Sequence, residues 1–270
     1  MNDAKSRVDA LWSTPLVWIG MVHLPPLPGS PRWTGTMEGV LSRAADDAAA
    51  LEEAGFHGVI VENYMDAPFH PTRVPPVTIA AMTRAVSRVV ETVRIPVGVN
   101  VLRNDAASAL SIAAVTGAAF IRVNVHTGSM WTDQGLLTGA AHETLRLRRE
   151  LGVDTTILAD VHVKHATPPS GADLSEAAAD AWTRGLADGL VVSGSGTGRA
   201  TEESDIDRVG RAVPAAPVFV GSGMTAGTAG RLSPAARGAI VGTAVMRGGV
   251  AGGGVDPSLA RAFIRASRRQ

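Results

Sequence analysis

A closed (β/α)8 barrel of the TIM type is the fold this sequence predicts, on three observations. Along 270 residues, eight short runs rich in Val and Ile alternate with eight alanine- and arginine-rich segments of helical period. Strict alternation requires parallel strands joined by helical crossovers, and eight such units in about 250 residues is the size of one barrel. The rival, an open doubly wound sheet, requires a glycine-rich dinucleotide turn after the first strand. That place is taken by His23-Leu-Pro-Pro-Leu-Pro-Gly-Ser-Pro31, whose prolines have no amide hydrogen to offer a phosphate.

In chain order, the expected strands are Val17–Leu24, Gly58–Asn63, Val97–Leu102, Phe120–Val125, Thr156–Val163, Leu190–Ser193, Val218–Gly221 and Ala239–Gly242. Helices are expected at Glu38–Ala54, Val77–Val93, Asp105–Thr116, Gly139–Leu151, Asp173–Arg184, Glu203–Ala212 and, briefly, Thr225–Leu232, with Pro257–Ser267 closing the chain. Start signals accompany several of them: Ser175 beside Glu176, Thr201 before Glu202, and Asp256 before Pro257. Residues 1–14 read as an extension and 15–270 as one barrel domain, because no linker-like composition shift divides the chain.

Composition narrows the function. With no cysteine, thiolate nucleophiles, iron–sulfur clusters and Cys-ligated zinc are excluded. Equal numbers of basic and acidic side chains, 25 each, give no electrostatic case for a nucleic-acid partner. No apolar run approaches the roughly 20 residues of a membrane-spanning helix, and no signal-peptide pattern opens the chain, so a cytoplasmic protein without an integral membrane segment is expected. Lys5 and Lys164 are the only lysines, which draws attention to Lys164.

Active sites of this fold lie at the C-terminal ends of the strands, and side-chain alternation says which residues face inward. In the fifth run, Ile157, Ala159, Val161 and Val163 make an apolar outer face, and Leu158, Asp160, His162 and Lys164 point inward. The same parity places His23, Glu62, Asn100, Arg122, Asn124 and His126 inside. Burying so many polar groups is costly unless they pair or serve chemistry, so their concentration on the first five strands reads as a functional pocket. The last three strands end differently, in Val192-Ser-Gly-Ser-Gly-Thr-Gly198, Val220-Gly-Ser-Gly-Met224 and Val241-Gly-Thr-Ala244. Small residues let backbone amides approach an anion, and a helix after the seventh strand would add its positive end. Ser193, Gly194, Gly221, Ser222, Gly223, Gly242 and Thr243 are the expected phosphate contacts.

Taken together, Gly20-Met-Val-His-Leu-Pro-Pro-Leu-Pro-Gly-Ser-Pro31, Val59-Ile-Val-Glu-Asn63 with Asp66-Ala-Pro68, Val97-Gly-Val-Asn-Val-Leu-Arg-Asn-Asp105, Phe120-Ile-Arg-Val-Asn124, Thr132-Asp-Gln-Gly135, Leu158-Ala-Asp-Val-His-Val-Lys-His165 and Val220-Gly-Ser-Gly223 resemble the BtpA/SgcQ family. The resemblance spans about residues 15–265. It implies a ribulose-phosphate-binding-like TIM barrel, a family name drawn from photosystem I biogenesis or stability in cyanobacteria, and members near sugar-metabolism genes. It implies no settled catalytic residues. Relatives often carry a lysine after the eighth strand, where this chain has Arg247.

The leading expectation is an enzyme acting on a phosphorylated sugar or nucleotide-derived small molecule by lyase, isomerase or glycosidic-cleavage chemistry. Asp160 would be the acid or base, His162 or His126 a proton relay, and Glu62 a further carboxylate. His23, Asn100, Arg122 and Asn124 would orient oxygens, and Lys164 would hold an anionic oxygen or, if desolvated, form a Schiff base. No cofactor is required by this scheme. A divalent-metal-dependent hydrolase built on Glu62, Asp160 and a histidine is an alternative. The other is a non-catalytic biogenesis factor for a membrane complex. A homo-oligomer is compatible with a barrel of this size.

Overall fold

The computed structural model describes residues 14–194 and 201–268. Its barrel strands are β1 (Val17–His23), β2 (Gly58–Glu62), β3 (Val97–Asn100), β4 (Phe120–Val123), β7 (Thr156–Val161), β9 (Gly189–Val192), β10 (Val218–Val220) and β11 (Gly238–Val241). All eight pair in parallel, and β1 closes the ring between β2 and β11. Each expected strand is present.

Two apolar clusters hold the barrel. Outward-facing residues such as Val22, Val59, Val99, Ile121 and Leu190 pack beneath the helices. Inside, Ile19, Met21, Ile60, Phe120, Leu158, Val191, Phe219 and Ile240 fill the interior below the mouth, so the barrel is solid rather than a pore. Each such fully buried large side chain contributes about 1.5–3 kcal/mol. Gly98 makes this filling sterically feasible: a Cβ there would lie 2.2 Å from the Phe120 ring, which occupies that space.

The surrounding helices are α1 (Met37–Ala54), α2 (Pro76–Thr92), α3 (Ala106–Thr116), α4 (Ala141–Glu150), α5 (Leu174–Ala179), α6 (Glu203–Ala212) and α7 (Pro257–Ser267). Helix α5 runs on through a π turn at Asp180–Arg184, covering the expected span. Its cap is Asp173, which accepts from the amides of Ser175 and Glu176, so the start lies before Ser175. Asp256 caps α7 as its Pro257 signal suggested. Thr201 does not cap α6; its hydroxyl donates to Ser222 O at 3.1 Å, tying the ends of β9 and β10 together.

The expected helix Thr225–Leu232 is not formed. That stretch is a series of turns braced by Thr225–Thr228 hydrogen bonds, its small polar residues competing for backbone partners. A further departure is a small antiparallel sheet of β5 (Ser129–Thr132), β6 (Gly135–Thr138) and β8 (Ala166–Thr167) over the mouth, built from the loops after β4 and β7. Met130 and Leu137 pack beneath it, with Trp131 and Leu136 exposed on its outer face.

Candidate functional site

Strand register brings the polar interior together. His23 pairs with Glu62 and Glu62 with Asn100, so consecutive strands carry these side chains side by side at the mouth. From β4 and β7, Arg122 and Asp160 meet in a two-pronged ion pair: Nε to Oδ1 at 2.8 Å and Nη2 to Oδ2 at 2.9 Å. Asn124 Nδ2 adds a bond of 3.1 Å to Oδ2, and Asn100 Nδ2 donates to Asn124 Oδ1 and Arg122 O. Burial by itself pulls the Arg122 guanidinium down, but the charge and hydrogen bonds of Asp160 outweigh it, and its pKa stands above the ordinary value. Asp160 is thereby engaged by both Arg122 and Asn124, and it also borders a second groove with His162.

Glu62 is buried and lines the cavity, and burial raises its pKa against the opposing charges of Arg122, Lys164 and Arg103. His23 Nε2 lies 3.5 Å from Glu62 Oε1, and its Nδ1 accepts from the Gly252 amide at 3.1 Å. The ring proton is therefore on Nε2, facing the carboxylate. Burial, followed by Lys164 and Arg122, lowers His23 to about 3, so it is neutral at physiological pH. Tyr64, the chain's one tyrosine, stacks on this ring at 4.4 Å. Lys164 rises from the loop after β7, its pKa lowered by burial and then by Arg122.

These groups wall a cavity of about 670 Å³ lined by Glu62, Tyr64, Arg103, Arg122, Asn124 and Lys164 among others. A narrower recess shares Glu62, Tyr64, Arg122 and Lys164 and is closed by Gly221, Ser222, Gly223, Gly242 and Thr243. Side-chain groups and glycine turns thus face one space. Ser193 and Gly194 stand just behind: the Gly194 amide donates to Ser222 Oγ at 2.9 Å, and a Cβ on Gly221 would come within 2.2 Å of Ser193 Oγ. Residues 195–198 of that loop lie outside the described residues.

His126 and His162 do not join the cavity. Beyond the strand ends alternation is no longer enforced: Asn124 and Lys164 still reach the cavity, whereas the two histidines do not. The chain bends after Val123, and His126 is buried with Nε2 2.8 Å from Gly185 O. After Val161, His162 has φ 51°, which resets its direction towards a groove beside α5 with Asp173 and Asp180. Arg247 is exposed, with Asp47 and Asp256 close enough to feel its charge, and lines neither the cavity nor the recess. With Asp160 engaged and both histidines turned away, no group of three carboxylates or imidazoles among the described residues is arranged to hold a metal. Tyr64, Arg103 and Asp133 line the cavity but were not singled out by parity, because all three come from loops.

A family model described as the BtpA family matches residues 15–269. The chain belongs to the BtpA family. This BtpA-family chain is 50% identical over 248 residues to the photosystem I biogenesis protein BtpA of Synechocystis, covering 92% of this chain and 86% of that protein. It is 44% identical to an uncharacterized protein of Pyrococcus furiosus, over 92% and 93% of the two chains. Among solved structures, (S)-3-O-geranylgeranylglyceryl phosphate synthase from Thermoplasma acidophilum, in complex with sn-glycerol-1-phosphate, superposes with a TM-score of 0.62 at 15% identity, covering 99% and 98% of the chains. The fold is a TIM barrel. Among the described residues no helix is long and apolar enough to cross a membrane.

Proposed function

We propose that the chain is an enzyme acting on a phosphorylated sugar or nucleotide-derived small molecule, by lyase, isomerase or glycosidic-cleavage chemistry. The observation that carries this is a recess walled both by the glycine turns after β10 and β11 and by Glu62, Lys164 and Arg122, which it shares with the larger cavity. A phosphate seated at Gly221–Gly223, Gly242 and Thr243 leaves the rest of the molecule over Glu62. Burial makes that carboxyl hold its proton at higher pH than usual, which suits proton exchange with a carbon or a leaving oxygen. The Lys164 ammonium balances negative charge that develops on the substrate, and the Arg122–Asp160 pair holds Asn124 and the strand ends in a fixed arrangement beside it. The glycerol phosphate bound by the Thermoplasma neighbour is in keeping with this class of ligand.

Ligand-detected NMR across a panel of phosphosugars tests the reading. Wild-type and Glu62→Gln proteins should bind the same compounds, with turnover about 10²–10⁴-fold lower in the variant. A panel in which no phosphorylated compound binds would sink the proposal. The name of the Synechocystis relative supports a second reading, a non-catalytic part in photosystem I biogenesis, for which the exposed Trp131 and Leu136 offer a contact face. A cyanobacterium lacking its own BtpA and fully restored by Glu62→Gln protein would favour that reading over catalysis.

A further inference from the structure

We propose that the loop after β3 forms a second anion subsite centred on Arg103, so that the ligand carries two anionic groups, a phosphate at the glycine turns and a carboxylate or second phosphate at Arg103. The two-ended ligand rests on the phosphate reading above; the Arg103 subsite does not.

Arg103 is 5% exposed and lines the large cavity. Its Nη2 donates to Lys164 O at 2.9 Å, while its Nε is buried with no acceptor. Among the described residues no carboxylate forms an ion pair with it. Asp133, Glu62 and Asp160 act on it from a distance, but burial outweighs them and its pKa is lowered, so a ligand anion in direct contact with its free Nε would stabilise it. Arg122, by contrast, is already neutralised by Asp160. That leaves Arg32, Arg103 and Lys164 on the cavity wall against Glu62 and Asp133, and Glu62 is pushed towards its neutral form. The recess at the glycine turns includes Lys164 but neither Arg32 nor Arg103.

The loop is built to keep Arg103 in place. Leu102 N donates to Asn63 Oδ1 at 2.8 Å and Arg103 N to His70 O at 3.0 Å. Asn104 bonds both N and O of Val125, and Asp105 caps α3 while accepting from Val74 N. Four neighbouring residues thus tie the segment to the residues just after β2 and β4 and to the loop that holds His70 and Val74. A site preorganised in this way binds a planar or tetrahedral anion without paying again for ordering.

Calorimetric titration with glycerol 3-phosphate, 3-phosphoglycerate, fructose 1,6-bisphosphate and citrate tests it. Wild-type protein should bind one of the two doubly anionic phosphates at least about tenfold more tightly than glycerol 3-phosphate. Which one gains tells carboxylate from phosphate. In Arg103→Gln that advantage should vanish with glycerol 3-phosphate affinity unchanged, and Arg103→Lys, which keeps the charge but not the fork, should restore part of it. Equal wild-type affinities, or an advantage that survives Arg103→Gln, would overturn the subsite. The wild-type comparison stands if a variant fails to fold. Should glycerol 3-phosphate not bind while citrate binds wild type and not Arg103→Gln, the phosphate reading fails and the anion subsite holds; if nothing binds, both fail.

Discussion

The two halves of the barrel mouth obey different rules. On β1 to β4 and β7 the chemistry lies in side chains, and His23, Glu62, Asn100, Arg122 and Asp160 lean on one another through register and hydrogen bonds. On β9 to β11 it lies in the backbone of turns where Gly223 and Gly242 line the recess without a side chain, while the Gly221 amide is itself bonded to Val192 O. A substitution on the first wall removes a charge or a bond that others depend on. On the second it adds bulk where space was kept. The first wall can therefore supply proton transfer and charge, and the second suits an anion that needs amides at close range.

The contrast can be broken most forcibly at Asp160. Replacing it by Asn leaves the buried Arg122 guanidinium without its counter-charge, and such losses cost about 3–5 kcal/mol. Urea denaturation of Asp160→Asn should show that drop, and a loss under 1 kcal/mol would mean that the pair is not the keystone of its wall. A smaller effect is expected across the mouth. In Gly221→Ala the new methyl meets Ser193 Oγ at 2.2 Å and Val191 Cγ1 at 2.6 Å. Overpacking of this kind costs about 1–3 kcal/mol. The same denaturation series measures it, and an undiminished midpoint would show that the glycine is not required by packing.

How much of this was legible in the sequence differs between the walls. Parity within a strand placed His23, Glu62, Asn100, Arg122 and Asp160 correctly, because inside regular β structure the period of two is enforced by the backbone. It failed at His126 and His162, where the strand had already ended and a bend or φ 51° redirected the side chain. Chain order put the glycine turns on the correct strands, although the helix expected after β10 is absent. Loop contributions were illegible: Tyr64 and Arg103 reach the cavity through the fold of the loops after β2 and β3, which no periodicity encodes. The hairpin β5–β6 left a readable trace in the alternation of buried Met130 and Leu137 with exposed Trp131 and Leu136 around Asp133-Gln134. That alternation is only a few residues long, so it is easily passed over between two barrel strands.

The smallest predicted effect sharpens the comparison through pH, to which only the side-chain wall should respond. His23 has its pKa lowered from 6.5 to about 3, chiefly by burial, with Lys164 and Arg122 adding to it. As pH falls below 6.5 the unfolded chain takes up this proton and the folded protein does not, so stability is complete above 6.5 and is lost progressively down to about 3. Between pH 6.5 and 5.5 the loss should be about 1 kcal/mol. Glu62 runs the opposite way: its raised pKa makes its contribution greatest below its ordinary value of 4.5 and smaller as pH rises through the folded value, so it does not produce the same acid slope. Stability measured from pH 7.5 to 5 in wild type and in His23→Gln separates the two, since glutamine can still accept from the Gly252 amide but does not titrate. His57, His126, His162 and His165 are also lowered by burial and add acid slope of the same sign in both proteins, so the difference between the two curves reports His23. Parallel curves would show that His23 carries none of the acid sensitivity; a slope shallower by about 1 kcal/mol over that interval in His23→Gln places that share on the side-chain wall, beside the carboxyl proposed to move the proton.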